Sequence, residues 1–207
     1  MSKIIGIAGG TACGKTTIVR RLAQALGKDA QVLSMDAYYK SYREYSLEER
    51  KKLNYDHPDA FDVKRLMEDL GALQAGKSID MPIYDFVSYT QSGRLERRQA
   101  TPIILLEGLF VLYYPELQPY LNLKVYVQAD PDIRLIRRIE RDQGQRGRSL
   151  QSILDQYRNT IKPMHEAFIA PTKKQADLII PRGAENEKGI QILLEHIKKL
   201  VVKEISH

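Results

Sequence analysis

The nine residues GGTACGKTT, from Gly9 to Thr17, match the pattern G-x-x-x-x-G-K-[ST]. They follow a short apolar run typical of a buried strand, KIIGIA, and precede an amphipathic helix pattern, TTIVRRLAQALG, that Gly27 is placed to end. In that setting the glycines turn backbone N–H groups inward around phosphate oxygens, and the helix N-terminus adds partial positive charge. The stretch therefore predicts that the chain binds a nucleoside triphosphate.

Individual residues of this loop have expected contacts with the phosphates. Lys15 is expected to bridge the β- and γ-phosphates, and the Thr16 hydroxyl is expected to bind Mg²⁺. Cys13 occupies an unconstrained position, where a small filler is the favoured interpretation and oxidative inactivation is the alternative hypothesis. The predicted nucleotide-binding residues are Gly9, Gly10, Thr11, Ala12, Cys13, Gly14, Lys15, Thr16 and Thr17.

Composition narrows the class of protein. A length of 207 residues with 28% charged and 43% apolar side chains is typical of one globular domain. No apolar run reaches the roughly 18 to 20 residues that span a bilayer, and the N-terminus does not resemble a secretory signal. A single cysteine excludes an internal disulfide framework, so the cytoplasm is the expected compartment. The net charge of +6 suits either nucleic acid or a small polyphosphate.

Strand and helix patterns alternate along the chain, which predicts an α/β fold with a parallel sheet and one domain over residues 1–207. The further strand patterns are AQVLSMD, PIILLEG, LKVYVQAD and ADLIIPRG. A small β-hairpin excursion is predicted at about 77–100, where SIDMPIYDF and RLERRQA are joined by a turn at Gln91-Ser92-Gly93.

Two acids follow predicted strands directly, Asp36 after QVLSM and Glu107 after PIILL. The carboxyl ends of parallel strands meet at one rim, so both acids are expected beside the phosphate loop. Glu107 is the candidate Mg²⁺ ligand, and Asp36 is the candidate acceptor of a hydroxyl proton. Ordinary helix capping is the alternative for each.

A local arginine cluster is predicted to form a lid at about 134–165. Arg134, Arg137, Arg138 and Arg141 recur at helical spacing, and Arg146 and Arg148 follow in a loop where Gly144 and Gly147 supply flexibility. A solvated basic face is the common explanation of such a run. Beside a phosphate loop, arginines on a flap would neutralise the transferred group and exclude water. A transferase lid is therefore favoured over a nucleic-acid groove.

Several stretches together resemble the uridine–cytidine kinase family: GIAGGTACGKTT, MDAYYK, NYDHPDAFD, PIYDF, ILLEG, RRIERDQGQRGRS, QYRNTIKPMHEAF and PTKKQADLIIPRG. They occur in the family's order and cover nearly the whole chain. The resemblance implies a three-layer α/β/α P-loop kinase fold that transfers the γ-phosphate of ATP to the 5′-hydroxyl of a pyrimidine ribonucleoside in salvage. It also implies a homotetramer with feedback inhibition by CTP and UTP.

The resemblance implies roles for particular residues. Asp36 matches the family's catalytic base and a Mg²⁺ ligand, and Thr16 and Glu107 match its Mg²⁺ environment. Asp56 matches a carboxylate that holds the ribose hydroxyls. The remaining matches are the lid arginines Arg138, Arg141, Arg146 and Arg148, the acceptor contacts Arg138 and Gln156, and the pocket-lining Tyr39 and Tyr84.

The stretch MPIYDFVSYTQSG concentrates three aromatic residues, Tyr84, Phe86 and Tyr89, and is interpreted as part of the acceptor pocket, with Phe86 sharing the strand face of Tyr84. The family usually has a histidine where this chain has Tyr89. Histidine offers both a donor and an acceptor by changing tautomer, whereas a phenol has one rotatable hydroxyl. The hypothesis is that Tyr89 narrows the choice of nucleoside to cytidine. The alternative is that Tyr89 points outward and other groups recognise the base, so that both cytidine and uridine are substrates.

Three other classes of protein are alternatives to a uridine–cytidine kinase. Phosphoribulokinase and pantothenate kinase would share the loop and lid but should lack NYDHPDAFD and the aromatic pocket. A regulatory GTPase is rejected because PTKKQAD places Gln175 where the [NT]-K-x-D motif requires aspartate. A nucleic-acid-binding protein is disfavoured because no recognised motif appears. The choice of ATP or GTP as phosphate donor stays open.

Overall fold

The computed structural model describes residues 1–205. In chain order its strands and helices are β1 (Lys3–Ala8), α1 (Lys15–Leu26), β2 (Ala30–Ser34), α2 (Leu47–Arg50), α3 (Val63–Gln74), β3 (Ile79–Asp85), β4 (Thr90–Arg98), β5 (Ile103–Glu107), β6 (Leu123–Val127), α4 (Pro131–Arg146), α5 (Leu150–Gln156), α6 (Lys162–Met164), β7 (Leu178–Ile180) and α7 (Glu187–Ile205). Two π-helical segments, Tyr157–Ile161 and His165–Ile169, flank α6. Within this part of the chain, no helix combines the length and apolar character needed to cross a membrane.

The central sheet contains five parallel strands in the order β2-β5-β1-β6-β7. These strands are the apolar runs of the sequence, which suit a sheet covered on both faces. The loop after β1 and the ends of β2 and β5 lie at the same edge because β5 pairs with both neighbours in parallel. The predicted α/β fold with a central parallel sheet is confirmed.

Alternation along each strand divides the core into two layers. Ile4 of β1 packs in one hydrophobic cluster with the leucines of α3, while Ile5 and Ile7 pack in another. That second cluster contains Ile18 and Leu22 of α1 and residues of α7. Successive strand residues point to opposite faces, so helices cover both sides of the sheet and produce the three-layer arrangement.

The hairpin excursion exists, but the predicted position of its turn is wrong. Asp85 pairs with Thr90 across β3 and β4, so the turn is formed by residues 86–89, and Gln91-Ser92-Gly93 lies within β4. The Asp85 carboxylate fixes this turn by accepting hydrogen bonds from the Val87 N–H (2.9 Å) and the Ser88 hydroxyl (2.5 Å). The Gln91-Ser92-Gly93 motif is a common turn signal, but the chain reverses direction at the residues that the Asp85 carboxylate caps.

The arginine-bearing segment is almost continuously helical. Helix α4 starts at Pro131, and the Asp130 side chain at the N-cap position makes no capping hydrogen bond. The prediction that Arg146 and Gly144 lie in a loop is wrong, because both belong to α4, and only Gly147 ends the helix, with a φ of +61°. The chain then continues through α5 and the π-helical segments. The edge of the sheet formed by the carboxyl ends of β1, β2 and β5 frames the site described next, together with this segment.

Candidate active site

The phosphate loop runs from the end of β1 to the start of α1, and its glycines occupy positions that other residues could not. Gly9 has a φ of +150°, and a Cβ there would lie 2.3 Å from the Val127 carbonyl oxygen. Gly14 has a φ of +98°, and a Cβ there would lie 2.8 Å from the Ala184 amide nitrogen. The loop is thus packed between the end of β6 and the turn before α7.

Lys15 lies at the centre of this loop and is only 7% exposed. Its Nζ donates to the carbonyl oxygens of Gly9 (2.8 Å) and Gly10 (3.0 Å). Thr16, the predicted Mg²⁺ ligand, is exposed. Cys13 is 1% exposed and packs in the core beneath the loop, which agrees with a filler role.

Asp36 and Glu107 lie together at the edge of the sheet. Glu107 ends β5 and is in register with Ser34, the last residue of β2. The Ser34 hydroxyl donates to Glu107 Oε1 (3.1 Å) and accepts from the Asp36 amide N–H (3.3 Å). Ser34 therefore connects the two acids, which the register of neighbouring strands brings together.

The electrostatics of Asp36 suit a proton acceptor. Burial first, and then the negative charge of Glu107, raise the pKa of its carboxyl from 3.8 to about 6, against the opposing positive charge of Lys15. A general base works best when its pKa lies close to the operating pH. Asp36 has this property while facing the phosphate loop.

The same acids fit a magnesium ion. Within residues 1–205 no three or more His, Cys, Asp and Glu side chains are grouped to hold a metal. Mg²⁺ in phosphoryl-transfer sites usually takes one or two carboxylates together with phosphate oxygens and water. Two neighbouring acids with a raised pKa at Asp36 are a pair that a cation would stabilise, so Thr16, Asp36 and Glu107 form a suitable donor set.

An aromatic cluster lies on the other side of Asp36. The ring of Tyr39, three residues further along, stacks on Phe61 with centroids 4.2 Å apart. It also contacts the rings of Tyr84 (5.1 Å) and Tyr55 (5.6 Å). Tyr39 and Tyr84, which the family resemblance assigns to the acceptor pocket, lie together in this cluster. Each residue is 8% exposed.

Tyr89 and Phe86 join this cluster from the tip of the hairpin. Tyr89 is half-buried, with a φ of +51° and its ring 5.5 Å from that of Tyr55. The Tyr55 hydroxyl donates to the Tyr89 carbonyl oxygen at 3.5 Å, a long hydrogen bond. The expectation that Phe86 shares the strand face of Tyr84 is wrong, because β3 ends at Asp85 and Phe86 lies in the turn. Phe86 is 61% exposed and touches Tyr84 edge-to-face. Tyr55 thus links the hairpin tip to the rest of the cluster.

Asp56 lies between Asp36 and the arginines. Burial raises the pKa of its carboxyl, and the positive charges of Arg138 and Arg148 oppose that rise. Its own charge contributes to raising the pKa of Asp36. The carboxylate that the resemblance assigned to the ribose is therefore electrostatically coupled to both the acid pair and the lid.

One lid arginine, Arg138, is hydrogen-bonded to the phosphate loop, and Gln156 links it to Arg148. Arg138 is 5% exposed and donates to the Thr11 hydroxyl (3.0 Å) and to Gln156 Oε1 (2.9 Å). Arg148 donates to the same Gln156 oxygen at 2.5 Å. Arg137 turns away from this group and pairs with Glu185. The predicted lid residues Arg138, Arg148 and Gln156 are thus gathered over the loop.

Three residues of the site were missed at the sequence level. Ser34 had no signal beyond its place at the end of a strand. Tyr55 precedes Asp56 in NYDHPDAFD, and the assignment of Asp56 to the ribose was the clue that Tyr55 could also belong to the site. Asp142 had no signal beyond being an acid among arginines in the sequence, yet its side chain is completely buried between them. Its contacts appear only when the helix end and the following loop are folded together.

Phosphoryl transfer requires positioning and charge stabilisation more than covalent chemistry. A phosphate loop facing an acid pair on one side and an arginine lid on the other meets that requirement, and it defines a P-loop kinase. The chain belongs to the phosphoribulokinase/uridine kinase family, whose model matches residues 4–188.

Curated relatives extend this match over nearly the full length. A uridine kinase of Lactobacillus johnsonii is 46% identical over 200 residues, covering 96% of this chain and 95% of that protein. A uridine kinase of Clostridium novyi is 43% identical over 199 residues, covering 96% of each. A uridine kinase of Staphylococcus haemolyticus is 43% identical over 202 residues, covering 97% of this chain and 98% of that protein.

Solved structures agree on the fold. A putative fructose transport system kinase from Silicibacter sp. TM1040 superposes with a TM-score of 0.70 at 19% identity, covering 87% of this chain and 90% of that one. Phosphoribulokinase from Rhodobacter spheroides superposes with a TM-score of 0.64 at 16% identity, covering 87% of this chain and 70% of that one. At such identities the likeness concerns the architecture alone.

Proposed function

We propose that this chain is a uridine–cytidine kinase, which transfers the γ-phosphoryl group of ATP to the 5′-hydroxyl of a pyrimidine ribonucleoside. The products are ADP and CMP or UMP, as in pyrimidine salvage. The observation that supports this most directly is the position of Asp36, whose carboxylate interacts with Lys15 of the phosphate loop and with Asp56 on the acceptor side. One proton acceptor thus faces both substrates.

The chain's own residues account for the transfer. The Asp36 carboxylate accepts the proton of the 5′-hydroxyl as that oxygen forms its bond to the γ-phosphorus, and the bond to the β-phosphate oxygen breaks. Lys15 leaves the loop carbonyls and Arg138 stays beside Thr11, so that both stabilise negative charge on the phosphates. Mg²⁺ held by Thr16, Asp36 and Glu107 would supply further charge neutralisation.

The acceptor side suits a ribonucleoside. Asp56 offers carboxylate oxygens that accept hydrogen bonds from the 2′- and 3′-hydroxyls, which explains a preference for ribose over deoxyribose. The flat aromatic surfaces around Tyr39 and Tyr55 suit the stacking of a base. A phosphorylated sugar without a base would gain nothing from these rings, which disfavours a phosphoribulokinase-like activity.

Within the pyrimidines we infer a preference for cytidine, based on Tyr89. Its backbone is in the left-handed region and its ring rests on Tyr55, so the phenol has a defined direction at the hairpin tip. A hydroxyl that accepts a hydrogen bond from the cytosine amino group would leave uracil mismatched. Such a mismatch in a closed site costs about 1 to 3 kcal/mol, or roughly tenfold to a hundredfold in kcat/KM.

The test is the release of ADP from ATP and Mg²⁺ in the presence of cytidine, uridine and their 2′-deoxy forms. We expect turnover with the ribonucleosides, a higher kcat/KM for cytidine, and loss of turnover in Asp36→Asn. Turnover with ribulose 5-phosphate or pantothenate, and none with a nucleoside, would replace this function with another kinase activity of the same fold. Substituting GTP for ATP in the same assay tests the donor.

Two variants test the role of Tyr89. Tyr89→His restores a side chain with two nitrogens and should raise kcat/KM for uridine, whereas Tyr89→Phe keeps the ring but removes the hydroxyl and should lower the preference for cytidine. Equal values for both nucleosides in the unaltered protein would remove the specificity hypothesis while leaving the kinase activity intact. No gain with uridine in Tyr89→His would contradict it as well.

We further propose a homotetramer working in the cytoplasm, on the basis of the family resemblance. Sedimentation velocity at micromolar concentration distinguishes a tetramer from a monomer or dimer. A monomer with full activity would contradict this part of the proposal without affecting the reaction.

A further inference from the structure

Asp142 lies near the end of α4 with its side chain completely buried. Four guanidinium groups surround its carboxylate: Arg141 Nε at 2.8 Å and Arg146 Nη1 at 3.4 Å from Oδ1, and Arg138 Nη2 at 3.5 Å and Arg148 Nη1 at 3.6 Å from Oδ2. These are the four arginines assigned to the lid. One buried acid is therefore the common neighbour of all of them.

The charges of this group do not balance. One carboxylate against four guanidiniums leaves three positive charges in excess. Burial alone would raise the pKa of Asp142, but the arginines, with Arg141 first, outweigh it and hold the pKa below its usual value. The group is held together by Asp142 and still retains the capacity to bind an anion.

Only one of the four contacts is a short hydrogen bond. Arg141 donates to Asp142 at 2.8 Å, whereas the other three guanidiniums lie 3.4 to 3.6 Å away. Contacts of that length are ion pairs without a strong directional bond. Arg138 and Arg148 also donate to Thr11, Gln156 and Ser152, so these two are held by further hydrogen bonds. Arg146, whose side chain is 56% exposed, is the most accessible of the four to phosphate oxygens.

The backbone of Asp142 has a separate role from its side chain. Its carbonyl oxygen accepts hydrogen bonds from the N–H groups of Gly147 and Arg148, which close the end of α4. A change confined to the side chain leaves these bonds in place. The charge of Asp142 is therefore separable from the local fold.

We propose that Asp142 is a positioning residue whose buried carboxylate gathers the four lid arginines over the phosphate loop before the substrates bind. The inference deepens the proposed kinase function, on which its kinetic consequence rests. Without the carboxylate, four like charges in one place repel one another, and the guanidiniums move toward solvent. Arg138 would then lose its ordered bridge between Thr11 and Gln156.

The test compares Asp142→Asn with the matched control Glu140→Gln. Both remove one negative charge from α4, but Glu140 is exposed whereas Asp142 is buried. We expect kcat with cytidine to fall about 100-fold in Asp142→Asn, with KM for cytidine unchanged within about threefold, because charge stabilisation of the transferred group is lost. Glu140→Gln should keep both values.

A second measurement reports how accessible the arginines are to a chemical reagent, and it does not require catalytic turnover. Ligand-free protein is modified with phenylglyoxal, an arginine-specific reagent, and the modified positions are identified by peptide mass spectrometry. We expect the modification of Arg138 to become about tenfold faster in Asp142→Asn, because its buried ion pair is removed. Arg97, whose side chain is 64% exposed, should react equally fast in both proteins and serves as the internal reference.

The Asp142→Glu variant distinguishes the effect of the carboxylate charge from the effect of the side-chain shape at this position. It retains the carboxylate, so kcat should stay within about tenfold of the unaltered protein and Arg138 should stay protected. A loss in Asp142→Glu as large as that in Asp142→Asn, or an Asp142→Asn protein with unaltered kcat and arginine reactivity, overturns the proposal. If Asp142→Asn fails to fold, the kcat and the arginine modification rates of the Asp142→Glu variant still test the proposal.

The two proposals fail in different ways. If the unaltered protein phosphorylates no pyrimidine nucleoside, the proposed function is wrong, while the arginine map still shows whether Asp142 gathers the lid. If nucleosides are phosphorylated and the Asp142→Asn map equals that of the control, only the role of Asp142 is wrong.

Discussion

The carboxylate of Asp36, the proposed proton acceptor, is expected to destabilise the ligand-free protein, and Asp36→Asn should therefore stabilise it while abolishing transfer. The carboxylate is buried beside Glu107, and these two factors raise its pKa from 3.8 to about 6. A raised pKa means that the ionised form is disfavoured in the folded protein relative to the unfolded chain. An amide of nearly the same shape has no charge to bury.

The sign and size follow from proton linkage. Between pH 3.8 and about 6 the folded protein holds a proton on Asp36 that the unfolded chain has released, so stability falls as pH rises through this window. A shift of about two units at about 1.4 kcal/mol each corresponds to about 3 kcal/mol of destabilisation once Asp36 is fully ionised. The whole penalty is present above the folded pKa and disappears below the unfolded one.

Urea unfolding measures this penalty in the presence of a chelator and without nucleotide, from about pH 4 to about pH 8. The difference in free energy of unfolding between Asp36→Asn and the unaltered protein should grow by about 2 kcal/mol over that range, because titration of the other groups cancels in the difference. In a Glu107→Gln background the growth should be smaller, since the repulsive charge is absent. A difference that is independent of pH, or a less stable asparagine variant at the upper pH, would refute the reasoning.

Three further substitutions test other parts of the site. Gly144→Ala changes a residue within α4 where the added Cβ meets nothing inside 4 Å. The free energy of unfolding, measured by thermal unfolding, should therefore rise by about 0.5 to 1 kcal/mol with kcat unchanged. A fall in kcat would instead identify Gly144 as a hinge. Asp56→Asn should raise KM for ribonucleosides about tenfold and reduce their advantage over deoxyribonucleosides in the ADP-release assay, and an unchanged ratio would contradict its assignment to the ribose. Ser34→Ala removes the hydroxyl that connects Glu107 to the Asp36 backbone, so kcat should fall about tenfold at unchanged KM for cytidine. Ser92→Ala, at an exposed position of β4, is the control that keeps its kcat.

Local patterns in the sequence were sufficient for the elements that depend on near neighbours. The phosphate loop, the start of α1 at Lys15 and its end at Gly27 occur as predicted. Two further local features are of the same kind: Ser46 and Glu49 form a capping box at the start of α2, and the Asp62 side chain accepts from the Arg65 N–H at the start of α3. Caps, glycine stops and apolar runs act over one turn or one strand, so the sequence itself contains the information that specifies them.

Contacts between distant segments were decided by the tertiary structure. The sequence placed acids after two strands, but only the pairing of β2 with β5 puts Ser34 between Glu107 and Asp36. The hairpin turn was misplaced because the side chain of Asp85, and not the glycine motif, reverses the chain.

The arginines show the same division between local and distant information. Their helical spacing predicted a common face, yet Arg137 turns to Glu185 and Arg134 donates to the Ala129 carbonyl oxygen. Only Arg138 and Arg141 of that face contact Asp142. Which anion an arginine meets depends on how α4, the loop after it and the turn before α7 pack around the phosphate loop. Spacing along a helix fixes direction about its axis, whereas an ion pair also requires a partner that only the folded chain brings within reach.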